Sequence, residues 1–456
     1  MNTQDIYNVQ QTFFASGKTL SYKFRRLQLK LLKSAIKKRE RDILDALHAD
    51  LHKHPVEAYS SEIGFLYVEI KHILNNLKRW MRPEDVSSPF VMYPSKSRVH
   101  RVPLGLTLII GPWNYPFQLI MAPLAGAIAG GNCAIVKPSE LTPKTSAVIA
   151  SLIRETFDPA YITTLEGDGS AVIPQVMQHR FDHVFFTGSA AIGRKVMELA
   201  TPQLMPVTLE LGGKSPCIVD DKVNISVAAK RIVWGKFWNA GQTCIAPDYV
   251  LVHSSVKEEL VAAMKKAILK FFGENPAASP DYARIINRKR WVTLNSYLQQ
   301  GKVIHGGTGD EDQLFMAPTL LENVSWDSPV MQEEIFGPIL PVLTFTTIEE
   351  AVRLVRAQPN ALSLYLFTKR DSTEKVFTEQ VSFGGGCINN TLGHFTNPEM
   401  PFGGVGHSGM GQYHGKYSFM TFTHAKSIMK TGTWIDVAMK YPPFRNKLKW
   451  VRMLMK

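Results

Sequence analysis

Cys244 closes the tetrapeptide GQTC, which follows the apolar-aromatic run VAAKRIVWGKFWNA. The other three cysteines, Cys133 in CAIVKP, Cys217 in SPCIVDD and Cys387 in GGGCIN, have strand-like apolar neighbours. They read as small buried hydrophobes, the usual fate of a free cysteine. A thiol in a Gly-Gln-Thr loop reads instead as a candidate nucleophile. Other residue types complement it. Asn114 in GPWNYP offers a side-chain amide, and Glu210 in LELGGK offers a carboxylate beside two glycines. Lys137 and Glu140 in KPSE sit at a helix start. In GSAAIG, Gly188 and Ser189 open a helix whose free N–H groups can face a phosphate, and Gly193 allows close packing.

Each has a plain alternative when taken singly. Asn114 could serve a turn, Glu210 could be a surface acid, Lys137 with Glu140 a solvated pair, and Cys244 an inert loop thiol. A lone G-S-x-x-x-G is weaker than a full dinucleotide fingerprint. Jointly, however, a thiol, an amide to hold an oxyanion, a carboxylate to activate water and a nucleotide-binding sheet describe oxidation of an aldehyde through a thioester.

The elements that must position these groups alternate. Strand LTLII (106–110) leads to a helix through 117–130, strand CAIVK (133–137), helix 143–157, strand YITTL (161–165), helix 170–178, strand HVFFT (183–187), helix 191–200 and strand VTLEL (207–211). Short apolar strands separated by helices predict an α/β fold with a parallel, Rossmann-like sheet that binds ligands at its carboxyl strand ends. A second αβ set, with strands at CIVD, YVLVH, LPVLTF and LSLYLF, fills 212–400. Helical periodicity covers 20–50 and 57–82, and Pro- and Ser-rich 83–101 reads as a connector or edge hairpin. FMTFTHAKSIM (419–429) alternates like a strand without a neighbouring hairpin partner, and could pair across a subunit boundary.

Composition narrows the class. At 456 residues two or three structural units are expected, and 45% apolar with 20% charged residues is ordinary for a globular protein. Four scattered cysteines give no disulfide framework, so the reading is a reducing cytoplasm. MNTQDIYNVQQTFF lacks the pattern of a signal peptide. The charge-free stretch Val102 to Val136 is long enough to span a bilayer, but its prolines and glycines predict strand, loop, helix and strand in a soluble domain. His48, His52 and His54 have no further ligand cluster, so no metal is expected.

The formal net charge is +13, and 440–456, KYPPFRNKLKWVRMLMK, holds six basic residues and no acid. On a helical wheel Arg445, Lys449, Arg452 and Lys456 share one face and Phe444, Leu448, Val451, Leu454 and Met455 another, so 431–456 reads as a basic amphipathic tail. It either folds onto its own protein or a sister subunit, or contacts a membrane surface from a peripheral position. Nucleic acid is not an expected partner, because basic residues interleaved with exposed aromatics are missing elsewhere.

GPWNYP, KPSELTP, FTGSAAIG, LELGGKSP, NAGQTCIAPDY, QEEIFGP and MPFGGVGHSGMG, in this order from about residue 20 to 425, resemble the aldehyde dehydrogenase superfamily. GQTCIAPDY and SGMGQYHGKYSF are similar to its class 3 branch, which includes fatty and medium-chain aldehyde dehydrogenases. The resemblance implies Cys244 as nucleophile, Glu210 as general base, and Asn114 with the Cys244 N–H as oxyanion hole. It implies Lys137 and Glu140 at the adenosine ribose, and Gly188, Ser189 and Gly193 at the pyrophosphate. Glu334 and Phe336 would hold the nicotinamide ribose and ring, while Tyr115, Trp234 and Thr243 would line the aldehyde tunnel and His394 and Phe395 its mouth. It also implies NAD with NADP possible, a free acid product, a homodimer, and three domains: 1–82 with 102–210 for NAD(P), 211–400 for catalysis, and 83–101 with 401–430 as a bridging β segment. A base at Glu210 argues against a coenzyme A acylating relative. An idle scaffold using its basic tail is the non-enzymatic alternative.

Overall fold

The computed structural model describes residues 3–455. Five apolar runs build its first sheet, in the spatial order Ile162–Thr164, Cys133–Lys137, Leu106–Ile110, His183–Thr187, Val207–Glu210, all parallel. Three of these strands are buried along their whole length, as unbroken apolar runs covered on both faces must be. The chain changes side after the third strand, so the sheet has its switch point between Leu106–Ile110 and His183–Thr187. The segments carrying Asn114 and Gly188 leave from the carboxyl ends of those two strands.

The charge-free stretch resolves as Leu106–Ile110, the helix Gln118–Gly130 and Cys133–Lys137. Every residue of that helix is buried, packed against helices Tyr22–Lys38, Gly64–Trp80 and Gly415–Thr421. Among the described residues no helix is long and apolar enough to cross a membrane.

The second sheet runs Lys302–His305, Thr319–Glu322, Ile339–Phe345, Tyr249–His253, Pro216–Val219, Ser363–Phe367, Gly385–Ile388. Only its first strand is antiparallel to its neighbour. A third, antiparallel sheet joins Glu84–Val86, Ser95–Pro103 and Thr423–Thr431. The 83–101 segment is thus an edge hairpin, and Thr423–Thr431 finds its partner within the same chain, far back in sequence.

Several expectations shift. The 20–50 helix breaks at Arg39 (φ −104°, ψ 14°) into Tyr22–Lys38 and Glu40–Leu51. The expected strand 419–429 begins as helix, Gly415–Thr421, because Phe419 and Phe422 turn into the core, Phe419 against Trp80 and Phe422 beside Gly126 and Gly130. Residues 401–430 divide: Gly409–Met410 adds an antiparallel edge to the first sheet, and Thr423–Thr431 goes to the third.

The basic tail is not one helix from residue 440. Pro442 and Pro443 interrupt it, leaving short 3-10 turns at Ala438–Lys440 and Arg445–Lys447 and a helix only over Leu448–Leu454. Lys456, the last residue of its expected basic face, lies outside the described residues.

Candidate active site

The helix Ile225–Phe237 delivers the GQTC loop. Beyond it Asn239, Ala240 and Gly241 are all left-handed, with φ of 52°, 49° and 76°. Such a run is costly for side-chain-bearing residues and persists only when surroundings hold it. Here they do. Asn239 Nδ2 donates to the carbonyls of Asn114 (3.0 Å) and Gln242 (3.1 Å). Gln242 Nε2 donates to the carbonyls of Asn239 (3.1 Å) and Arg284 (2.8 Å), while its Oε1 accepts from the Ile286 N–H (2.9 Å). Gly241 is required sterically, since a Cβ there would lie 2.3 Å from the Gly337 carbonyl oxygen. Thr243 Oγ1 meets Tyr115 Oη at 2.6 Å. Cys244 follows, partly buried in the succeeding turn.

Asn114 is buried and its Nδ2 donates to the Gln242 carbonyl at 3.0 Å, which brings the amide against the cysteine loop. Glu210 ends its strand, and its carbonyl accepts from the Gly188 N–H at 3.1 Å. Both Glu210 carboxylate oxygens are buried without a hydrogen-bond partner among the described residues, and burial holds the carboxyl well above the usual range. Glu334 lies over Gly212, where a Cβ would be 2.3 Å from both of its carboxylate oxygens. Burial, then the charge of Asp248, pushes Glu334 up to about 8, although the Gly213 N–H favours its ionised form. Cys244 feels both carboxylates: burial first, then Glu334 and Glu210, push its thiol upward. At neutral pH the sulfur is therefore a thiol that needs a base.

Buried Lys214 pins the QEEIFGP segment. It pairs with Asp248 and donates to the carbonyls of Val330 (2.8 Å) and Glu333 (3.0 Å), and Asp248 Oδ1 accepts from the Ile335 N–H at 2.9 Å. Phe336 is held left-handed (φ 44°) and meets the Trp113 ring edge-on at 5.3 Å.

Across the switch point, Lys137 pairs with Glu140. Burial opposes ionisation of Glu140, but the Lys137 ammonium and the N–H groups of Glu140 and Gly169 hold its carboxyl below the usual range. A Cβ on Gly169 would meet Glu140 Oε1 and Lys137 Nζ at 3.4 Å each, so the glycine leaves a cradle beside them. Ser189 caps the helix Ala190–Ala200, and a Cβ on Gly193 would lie 2.7 Å from Leu211. Thr187 Oγ1 is buried without a partner. An ammonium–carboxylate pair, a helix start and unpartnered buried oxygens together fit a dinucleotide.

A cavity opens on Cys244. Tyr115, Trp238, Phe395, Phe402, Tyr413 and His414 form much of its wall, with Ser61, Gln118 and Thr243 as polar points. Trp234 does not line it, contrary to expectation. The helix ends at Phe237, so Trp238 turns inward whereas Trp234 stays 39% exposed, edge-on to Trp238 at 5.1 Å. His394 is likewise turned from the mouth, with Nε2 3.1 Å from Ser363 Oγ and Nδ1 facing Cys387. His414 was invisible to sequence reasoning. It is buried with φ 77° and neither ring nitrogen partnered.

The Aldehyde dehydrogenase family model matches residues 5–428. The chain belongs to the aldehyde dehydrogenase family. Over 455 residues it is 50% identical to 4,4'-diaponeurosporen-aldehyde dehydrogenase of Staphylococcus aureus, covering 99% of both chains. It is 42% identical to aldehyde dehydrogenase family 3 member A2 of Rattus norvegicus (99% of this chain, 94% of the relative), and 41% to the dimeric NADP-preferring aldehyde dehydrogenase of Canis lupus familiaris (95% and 96%). The solved substrate-bound state of Staphylococcus aureus AldH superposes with a TM-score of 0.97 at 48% identity, covering 100% of both chains. The family's reaction is oxidation of an aldehyde to a carboxylic acid with NAD(P) as hydride acceptor. As an aldehyde dehydrogenase, this chain has that reaction class.

Proposed function

We propose that this aldehyde dehydrogenase takes apolar aldehydes of medium or long chain, or aromatic ones, to free carboxylic acids, with NAD preferred. The observation that carries this reading is Glu210: a buried carboxylate with no hydrogen-bond partner, close enough to Cys244 to raise its thiol. Glu210, in its ionised form, takes the Cys244 thiol proton and passes it to solvent as Sγ attacks the aldehyde carbon. The resulting alkoxide is held by Asn114 Nδ2 and the Cys244 N–H, and losing one such donor typically costs about 10²–10³ in rate. Glu210 accepts a proton from the water that hydrolyses the thioester. A bound NAD(P) would supply the hydride acceptor and a positive charge. Lys137 and Glu140 would hold its adenosine ribose, Gly188, Ser189 and Gly193 would flank the pyrophosphate, and Glu334 with Phe336 would orient the nicotinamide end. The Glu140 carboxylate repels a 2′-phosphate, which supports the preference for NAD.

The aromatic cavity wall supports an apolar substrate, and Tyr115 and Thr243 are part of its lining. The relative named for a diaponeurosporen aldehyde points the same way. We assign the edge hairpin 83–101 and the strand Thr423–Thr431 to a bridging segment of a homodimer, because that strand leaves its outer edge unpaired. Residues 1–82 with 102–210 then form the NAD(P) domain and 211–400 the catalytic domain. Two buried thiols without disulfides accord with the cytoplasm. The tail is assigned to peripheral contact with anionic membranes: Trp434, Phe444, Leu448, Trp450, Met453 and Met455 stay more than half exposed among its basic residues. Deleting 440–456 should weaken binding to anionic vesicles at low salt, and unchanged binding would remove the assignment.

The deciding experiment follows absorbance at 340 nm with aldehydes of increasing chain length and either cofactor. Specificity should rise with apolar length and favour NAD. No signal with any aldehyde, or a requirement for coenzyme A, would overturn the reading.

A further inference from the structure

Asn114 lies in an irregular loop, GPWNYP, that is buried except at Pro112 and Trp113. Buried loop backbone needs partners, and Pro116 supplies no N–H. The partners come from far away in sequence. Lys53 and Glu62 form an ion pair at 2.5 Å, with both side chains fully shielded from solvent. Lys53 Nζ also donates to the Asn114 carbonyl at 2.7 Å and stands 4.0 Å from the centre of the Tyr115 ring. Glu62 Oε2 accepts from the N–H groups of Phe117 (2.9 Å) and Gln118 (3.2 Å), where the next helix starts. The pair therefore holds the loop at the Asn114 carbonyl and again where it runs into the helix. Glu62 itself sits in a π-helical turn, Tyr59–Ile63, a local irregularity often found near functional sites.

Isolated buried ion pairs are poor sources of stability, since apolar replacements often do as well. Their strength is geometric. We propose that Lys53 and Glu62 are positioning residues for the oxyanion donor: they fix the Asn114 backbone so that Nδ2 points at the cysteine loop, where it meets the Gln242 carbonyl. The proposal rests on the oxyanion role assigned to Asn114. A donor displaced by even a fraction of an ångström still lets aldehyde and cofactor bind but stabilises the alkoxide less. The loss then falls on kcat rather than on binding.

The test uses the double variant Lys53→Met/Glu62→Gln, which removes both charges together and leaves neither buried alone. Expected are a kcat lower by about 10–100-fold, a KM for aldehyde and a cofactor affinity within about twofold, and alkylation of Cys244 by iodoacetamide at the wild-type rate. Introduced into Asn114→Ala, the same double change should lower kcat no further, because the donor it positions is gone. Wild-type kcat in the double variant would overturn the proposal. So would losses that multiply in the Asn114→Ala background, which would mark a merely structural role. Full turnover by Asn114→Ala alone would overturn the oxyanion reading and this proposal with it. If the double variant fails to fold, Lys53→Arg is measured in its place, with the same expectation of a kcat loss that vanishes in Asn114→Ala.

Discussion

Tyr115 and Thr243, 128 residues apart in sequence, meet Oη to Oγ1 at 2.6 Å, so the residue after Asn114 is latched to the residue before Cys244. Both side chains line the cavity. The latch ties the loop of the proposed oxyanion donor to the loop of the proposed nucleophile. A neutral hydrogen bond contributes about 0.5–1.5 kcal/mol. Tyr115→Phe should therefore lower kcat/KM by about 3–10-fold. Thr243→Val should do at least as much, because it strands a buried phenol, and the two together should cost no more than the worse of them. Steady-state kinetics with one good aldehyde checks all three; an unchanged Tyr115→Phe refutes the latch.

In the proposed reaction Cys244 attacks the aldehyde and Glu210 activates the hydrolytic water, so their variants should fail differently. Cys244→Ser should drop turnover below about 10⁻³ of wild type while cofactor binding, read by fluorescence quenching, persists. Glu210→Gln should still give a first-turnover burst of reduced cofactor and then stall, with steady-state kcat down about 10²–10⁴. Mass spectrometry of the stalled enzyme should show one acyl adduct on Cys244. Without a burst or an adduct, Glu210 is not acting on the thioester.

The five parallel strands of the first sheet and four of the second, Pro216–Val219, Tyr249–His253, Ile339–Phe345 and Ser363–Phe367, are legible as short, mostly apolar runs, whereas Lys302–His305, Thr319–Glu322 and Gly385–Ile388 are too short and too mixed in polarity to be read as strands. Cys244, Asn114 and Glu210 stand out as candidates because their residue types are out of place in their local patterns, and the fold brings the Asn114 amide against the cysteine loop. What stayed hidden depended on where chain segments distant in sequence meet. Trp234 and Trp238 lie four residues apart in one amphipathic run, and only the helix end at Phe237 decides which turns inward. His414 and the Lys53–Glu62 pair carry no local signal, since their meaning comes from what packs around them. The tail is not one helix, since wheel geometry alone does not register what Pro442 and Pro443 do to a backbone.

Buried carboxyls give the protein a distinctive pH dependence of stability. Burial pushes Glu57 and Glu69 up to about 7, and burial with Asp248 pushes Glu334 to about 8. Each holds its proton in the fold while the unfolded chain has released it. Their contribution is full below about 4.5 and is lost as pH rises through about 7 to 8. Buried His183 and His394, lowered to about 4, and His414, lowered to about 3, act oppositely. Their contribution is full above about 6.5 and is lost as pH falls through about 4. Between about 6.5 and 8 the carboxyls act alone. Lys236, lowered to about 8 by burial, adds stability only above that. Thermal midpoints of the cofactor-free protein should fall by a few degrees from pH 6.5 to 8, and Glu69→Gln should flatten the slope. A midpoint that rises across this window refutes the assignment.

Gly241 and Gly17 separate backbone strain from steric conflict. Both are left-handed, with φ of 76° and 73°. A side chain at Gly17 would meet only Leu20 Cδ1 at 3.6 Å, an ordinary contact, whereas one at Gly241 would meet the Gly337 carbonyl oxygen at 2.3 Å. Gly17→Ala therefore costs only the conformational preference, about 1–2 kcal/mol, or roughly 1–3 °C in a chain of this length, with kcat unchanged. Gly241→Ala must in addition push the cysteine loop away from the segment that carries Glu334 and Phe336. It should lower kcat by more than about tenfold and slow alkylation of Cys244. Parallel melting curves and kinetics on the two variants check this, and equal kinetics in both would show that the close approach to Gly337 does not set the position of the nucleophile.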